Sequence, residues 1–102
     1  MALPVIDEAL LLKLLVDLLK TPSPTGYSEE AIAYAERAFN AIPGVKTNRT
    51  RKGALVATLE GEQQNAPRAL AAHVDTLGAM VKTIKSNGRL SLSKIGGYAW
   101  NT

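Results

Sequence analysis

Residues 70–81 read LAAHVDTLGAMV, and the fold turns on how this stretch is understood. With Arg68 and Ala69 before it, the segment RALAAHV is nearly all apolar, which predicts a central strand covered on both faces. His73, the single histidine of the chain, stands near the end of that run, and Asp75 follows two residues later. On a strand, side chains two apart share a face, so His73 and Asp75 are expected to emerge together where the run ends. Beyond Gly78 the pattern changes character.

Upstream, the leucine-rich ALLLKLLVDLL predicts a helix from Asp7 to Lys20, with Asp7 as its cap and Glu8 in a first turn that favours negative charge. Lys13, Asp17 and Lys20 fall on one stripe and leucines fill most of the remaining circumference, so this helix is expected to be mostly buried. TPSPTGYSEE follows, a stiff loop in which Pro22 and Pro24 forbid helix and Gly26 permits unusual backbone angles. Its SPTGYS portion reads as a structural join between two helices, with hydroxyls too weak to be catalytic groups themselves. Ser28 is placed to cap a second helix whose apolar face is Ala31, Ile32, Ala35, Ala38, Phe39 and Ile42, and Pro43 and Gly44 stop it. VKTNRT and ALVATLE then read as short strands.

Downstream, MVKTIKSNGRLSLSK reads as a hairpin, with Asn87 and Gly88 forming the pair that a two-residue type I′ turn prefers. Leu90 and Leu92 alternate with Ser91 and Ser93. The fold class expected is therefore α/β, with residues 1–77 in one layered unit and residues 78–102 opening a β-rich element. The final IGGYAWNT carries no closing helix or polar tail after Tyr98 and Trp100, and reads as a chain cut in mid-domain.

The 102 residues suit one domain with a modest core, and 46% hydrophobic with 21% charged residues is an ordinary globular balance. Twelve basic against nine acidic residues give +3, a weak field that does not imply nucleic acid. Lys46, Arg49, Arg51 and Lys52 read as a solvated strand edge and turn, where cations discourage edge pairing. With no cysteine, disulfides and thiolate zinc sites are excluded and any metal needs nitrogen and oxygen ligands. The leucine run lacks a basic leader and contains Lys13 and Asp17, so it is neither a signal peptide nor a bilayer span; a cytoplasmic location with no membrane partner is expected. There is no Gly-x-Ser-x-Gly elbow, and Gly96 and Gly97 fit no phosphate-binding loop.

Two readings of His73 stand side by side. A histidine hydrogen-bonded to an aspartate at a strand end is common and often purely structural. A metal-binding imidazole also needs its second ring nitrogen held by an acceptor, and a nearby carboxylate fixes the tautomer and strengthens the ligand. A catalytic zinc wants three protein ligands. Asp7, Asp17, Glu29, Glu30 and Glu36 belong to the predicted helices, and Glu60 and Glu62 flank a turn.

The ordered set TPSPTGYSEE, GALVATLEG, AHVDTLGAMVKTI and NGRLSLSKIGGY resembles the start of the glutamyl aminopeptidase and tetrahedral aminopeptidase family, cytosolic metallopeptidases with two metal ions per site. The resemblance covers nearly the whole chain. It implies the N-terminal part of a zinc-peptidase-type helix-sheet-helix catalytic domain, followed by the start of a β-rich insertion used in oligomer contacts. It places a metal ligand at His73 and an orienting, catalytic-site carboxylate at Asp75. It further implies two divalent ions (zinc, cobalt or manganese), peptide substrates and a homo-oligomer. A bridging aspartate, a glutamate general base and the other ligands would lie past Thr102, so this chain holds at most one ligand and is expected to be inactive alone.

Thr76 stands where many family members have an acidic residue. The tetrapeptide HVDT is equally at home in the related zinc carboxypeptidases and deacylases, but Gly78 and the NGRLSLSKIGG continuation favour the aminopeptidases. A truncated, non-catalytic interaction module and a small basic nucleic-acid binder are the alternatives from other classes.

Overall fold

A computed structural model describes residues 4–63 and 65–99 of the chain. Helix α1 spans Glu8–Lys20, and Asp7 caps it by accepting the Leu10 amide at 2.9 Å. At the other end the Thr21 amide returns to the Leu18 carbonyl, and the Thr21 hydroxyl donates to the Asp17 carbonyl at 2.8 Å. These bonds satisfy backbone groups that a helix terminus leaves without partners. Helix α2 spans Glu29–Asn40, with Ser28 in the cap position. The Ser28 side chain makes no capping bond, so the start of α2 relies on the Ser28 carbonyl, which accepts the Ile32 amide, and on Glu29 and Glu30 in the first turn.

Strands β1 (Val45–Arg49) and β2 (Leu55–Leu59) form an antiparallel pair in which Val45 faces Leu59 and Arg49 faces Leu55. Strands β3 (Gly78–Ile84) and β4 (Leu90–Ile95) form a second antiparallel pair, with a register shift between Val81 and Thr83. The two hairpins turn in the same way. In the first, the Gly53 amide bonds to the Thr50 carbonyl and the Thr50 amide to the Ala54 carbonyl; in the second, Gly88 to Lys85 and Lys85 to Arg89. Gly53 and Gly88 have φ of +84° and +78°.

The turn at Asn87-Gly88 thus departs from the expected type I′. Among the described residues only glycines have positive φ, so Asn87 lies outside the left-handed region that a type I′ turn demands of both central residues. The loop instead has three residues, with Gly88 left-handed at its last position, and the Asn87 side-chain oxygen accepts the Arg89 amide at 3.1 Å.

The predicted strand at RALAAHV is a second correction. Residues 68–74 form no strand, and Leu70 is fully exposed. An interior strand has no local source of stability and depends on neighbours that accept and donate along both edges. Among the described residues β1 pairs with β2 and β3 with β4, and neither pair extends to this segment.

Helix α1 also differs from expectation, since none of its residues is buried. Leu14, Leu15 and Leu18 face Tyr34, Ala35, Ala38, Phe39 and Ile42 across an open apolar cleft of about 270 Å³, and the other leucines face solvent. Among the described residues the only fully buried apolar side chain is Ala31. The radius of gyration is 18.6 Å, against roughly 13 Å for a compact chain of 100 residues. Helix α2 packs on the first hairpin and is tied to it by Arg49, which bonds Glu36 at 2.7 Å and also meets Glu29. The architecture is a mixed one of helices and antiparallel sheet, compatible with the α/β class.

Candidate functional site

The loop between α1 and α2 reaches across to the His73 region. Pro22 and Pro24 stiffen it, the Tyr27 amide closes a turn onto the Pro24 carbonyl at 2.8 Å, and Gly26 takes φ of +90°. The stiffened segment lies parallel to residues around Thr76 and makes an isolated bridge there. The Thr76 amide donates to the Ser23 carbonyl at 2.7 Å, and the Thr25 amide donates to the Thr76 carbonyl at 3.2 Å. Ser23 is buried at this join. Gly78 allows the approach, because a Cβ there would stand 2.8 Å from the Pro24 Cβ.

This bridge brings the Thr25 hydroxyl to Asp75, where it donates to Oδ2 at 2.6 Å. The other carboxylate oxygen, Oδ1, lies 2.9 Å from His73 Nδ1, and the Asp75 carbonyl oxygen is 3.1 Å from the same nitrogen. The Thr25 hydroxyl, and after it the His73 ring, hold the Asp75 carboxyl below the usual carboxylate value. An ionised carboxylate only accepts, so the hydrogen-bond pattern assigns the proton of the neutral imidazole to Nδ1. Nε2 then keeps its lone pair. The imidazole is 82% exposed, and among the described residues Nε2 has no hydrogen-bond partner.

His73 and Asp75 therefore meet as the two-residue spacing suggested, although on irregular backbone instead of a strand. Of the seven other carboxylates considered from the sequence, five are engaged elsewhere: Asp7 with the Leu10 amide, Asp17 with Lys13 and Tyr34, Glu29 and Glu36 with Arg49, and Glu60 with Lys46 at 2.8 Å. Among the described residues no group of three or more potential metal ligands occurs. The same pairs neutralise Lys46 and Arg49, so half of the four-residue basic cluster is matched by carboxylates. Tyr98 donates its hydroxyl to the Gly78 carbonyl at 2.7 Å, and Lys94 lies 5.6 Å from its ring centre. Trp100, paired with Tyr98 in the sequence reading, lies outside the described residues.

Thr25 is the contact that sequence reasoning missed. Its only local signal was the rigidity of the loop around it, and nothing in TPSPTGYS points to a carboxylate 50 residues away.

Residues 53–102 match the family described as M42 glutamyl aminopeptidase. Among curated proteins, putative aminopeptidase YhfE of Bacillus subtilis (strain 168) is 47% identical over 91 residues, which is 89% of this chain and 26% of that protein. The chain belongs to the M42 glutamyl aminopeptidase family. It spans about a quarter of the length of the curated relative it matches. The part matched to the M42 family takes in β2, His73, Asp75, Gly78 and the β3–β4 hairpin; Thr25 precedes it. Among the described residues no helix is long and apolar enough to cross a membrane.

Proposed function

We propose that this chain is the N-terminal portion of a metal-dependent aminopeptidase, with His73 as a metal ligand and Asp75 as the carboxylate that orients it. The observation that carries the reading is the ring geometry. Nδ1 is occupied by Asp75 while Nε2 faces solvent, inside the segment matched to the M42 family. A histidine with one nitrogen committed to a carboxylate and the other open has the donor arrangement a divalent ion requires. One imidazole is not a complete site, so His73 alone would hold an ion only weakly, and tight binding needs ligands from other segments of the protein.

The proposed cofactor is a pair of divalent ions, zinc, cobalt or manganese, which when bound polarise the scissile carbonyl and lower the pKa of the attacking water. The chain's own residues have a supporting part. Asp75 keeps the proton on Nδ1 and neutralises part of the charge brought to His73, and the bridge at Thr76 holds the carboxylate in place. In this reading residues 1–77 belong to the helix-sheet-helix catalytic domain and residues 78–102 begin a β-rich insertion. Val81 pairs with Leu92 and Ile84 with Leu90, and this exposed apolar face suits burial in a homo-oligomer contact. The substrates proposed are peptides, and the location cytoplasmic.

The chain on its own is proposed to be inactive. Purified chain is expected to give no turnover of an aminoacyl chromogenic substrate, and weak zinc binding that His73→Ala removes. Turnover that a chelator and His73→Ala both abolish would refute the inactivity. Zinc binding unaffected by His73→Ala would refute the ligand role.

A further inference from the structure

We propose that Thr25 is a positioning residue for this site, holding Asp75 so that its other oxygen sets the tautomer and direction of His73. The inference rests on the reading of His73 as a metal ligand. Asp75 and His73 lie in a stretch without regular secondary structure, where neither side chain is locked by packing: His73 is 82% exposed and Asp75 38%. A carboxylate in that setting has several rotamers open to it. What restricts it is the Thr25 hydroxyl, 2.6 Å from Oδ2, with the neighbouring backbone bonds between residues 23–25 and Thr76 fixing the hydroxyl itself. With Oδ2 tethered, Oδ1 is presented to Nδ1 and Nε2 is turned outward. The loop between the helices is therefore part of the ligand's support.

His73 is the single histidine, so its ring nitrogens are read without interference in the 15N-labelled chain. Long-range proton–nitrogen correlation at about pH 8.5, above the range in which imidazoles ordinarily titrate, is expected to show mainly the Nδ1–H tautomer. A mainly Nε2–H ring in the unsubstituted chain overturns the proposal without any variant. Thr25→Val, close in shape and lacking the hydroxyl, is expected to shift the population toward Nε2–H, and Thr25→Ser to restore it. An unchanged tautomer in Thr25→Val overturns the proposal. Thr25→Ala serves the same comparison should the valine variant fail to fold, and retention of the Thr76 amide's exchange protection shows that the bridge is intact.

A parallel titration with zinc separates the two ideas. Binding weakened roughly tenfold by Thr25→Val and recovered by Thr25→Ser, the lower end of what loss of an outer hydrogen-bond partner does to a metal site, supports both. An absence of zinc binding at His73 together with the expected tautomer shift defeats the metal reading and leaves the positioning role of Thr25 standing.

Discussion

Replacing Gly78 with alanine tests whether the close approach of the two loops is what seats Asp75. The added Cβ would lie 2.8 Å from the Pro24 Cβ, whereas ordinary contact begins near 3.4 Å. The two segments must part by about 0.6 Å, and the longer bridge bond, Thr25 amide to Thr76 carbonyl at 3.2 Å, would stretch to roughly 3.8 Å, beyond useful length. The Thr76 amide bond to the Ser23 carbonyl, at 2.7 Å, would reach only about 3.3 Å and survive. Overpacking of this kind costs about 1–3 kcal/mol where it cannot relax, and the one bond lost has a net worth of about 1 kcal/mol, so that bond gives way in preference to carrying the strain. At 1.4 kcal/mol per factor of ten, the Thr25 amide should exchange with solvent roughly fivefold faster, with the Thr76 amide little changed. Native-state hydrogen exchange by NMR reads both directly. Gly61→Ala is the control, since a Cβ there meets nothing within 4 Å. Equal exchange in Gly78→Ala and the unsubstituted chain would show that the contact with Pro24 is not a constraint.

Three further outcomes follow from local geometry. Asp7→Ala removes the side-chain acceptor of the Leu10 amide and should destabilise the start of α1 by about 1 kcal/mol, seen as faster Leu10 exchange and a smaller helical circular-dichroism signal; an unchanged Leu10 rate would disprove the cap. Gly88→Ala meets no obstruction but must adopt φ of +78°, so it should loosen the β3–β4 turn by roughly 1–2 kcal/mol, and Gly88→Asn by less, as measured by Lys85 amide exchange; equal effects would argue against a conformational origin. The Asp17 carboxyl is held low chiefly by its hydrogen bond to the Lys13 ammonium one turn away on α1, so its contribution to the stability of that helix is complete above the unfolded value of about 3.9 and is lost as pH falls through the lower folded value. A carbon-detected titration of Asp17 with a midpoint at or above 3.9 would contradict this.

What could be read from the sequence is what is local. Asp7, the two prolines, Gly44 and the alternation on β4 each act within a few residues, and the two helices, the short strands β1 and β2 and the β3–β4 hairpin stand where the local signals put them. The Asn87-Gly88 pair marked a turn correctly but not its type, because Lys85 and Arg89 close a three-residue loop that the dipeptide alone does not specify. The segment from Arg68 to Val74 has the composition of an interior strand and none of the neighbours, and composition cannot supply hydrogen-bond partners. At the candidate site the His73–Asp75 contact was legible because two residues are enough to make it. The Thr25 contact was not, since it depends on where a distant loop is carried by two prolines and admitted by a glycine. Arg49 is similar: read as one of four surface cations, it is the tie between a helix and a sheet.

The bridge from Ser23 to Thr76 has a kinetic side. Each hairpin closes over three residues, but Thr25 and Asp75 are separated by 50, and drawing together ends that far apart costs about 2 kcal/mol more in chain entropy than closing a stretch of about five. In refolding from denaturant, the turns at Gly53 and Gly88 should be protected early and the Thr76 amide late. The imidazole would then gain its fixed orientation only in the closing phase of folding, after the elements on either side already exist.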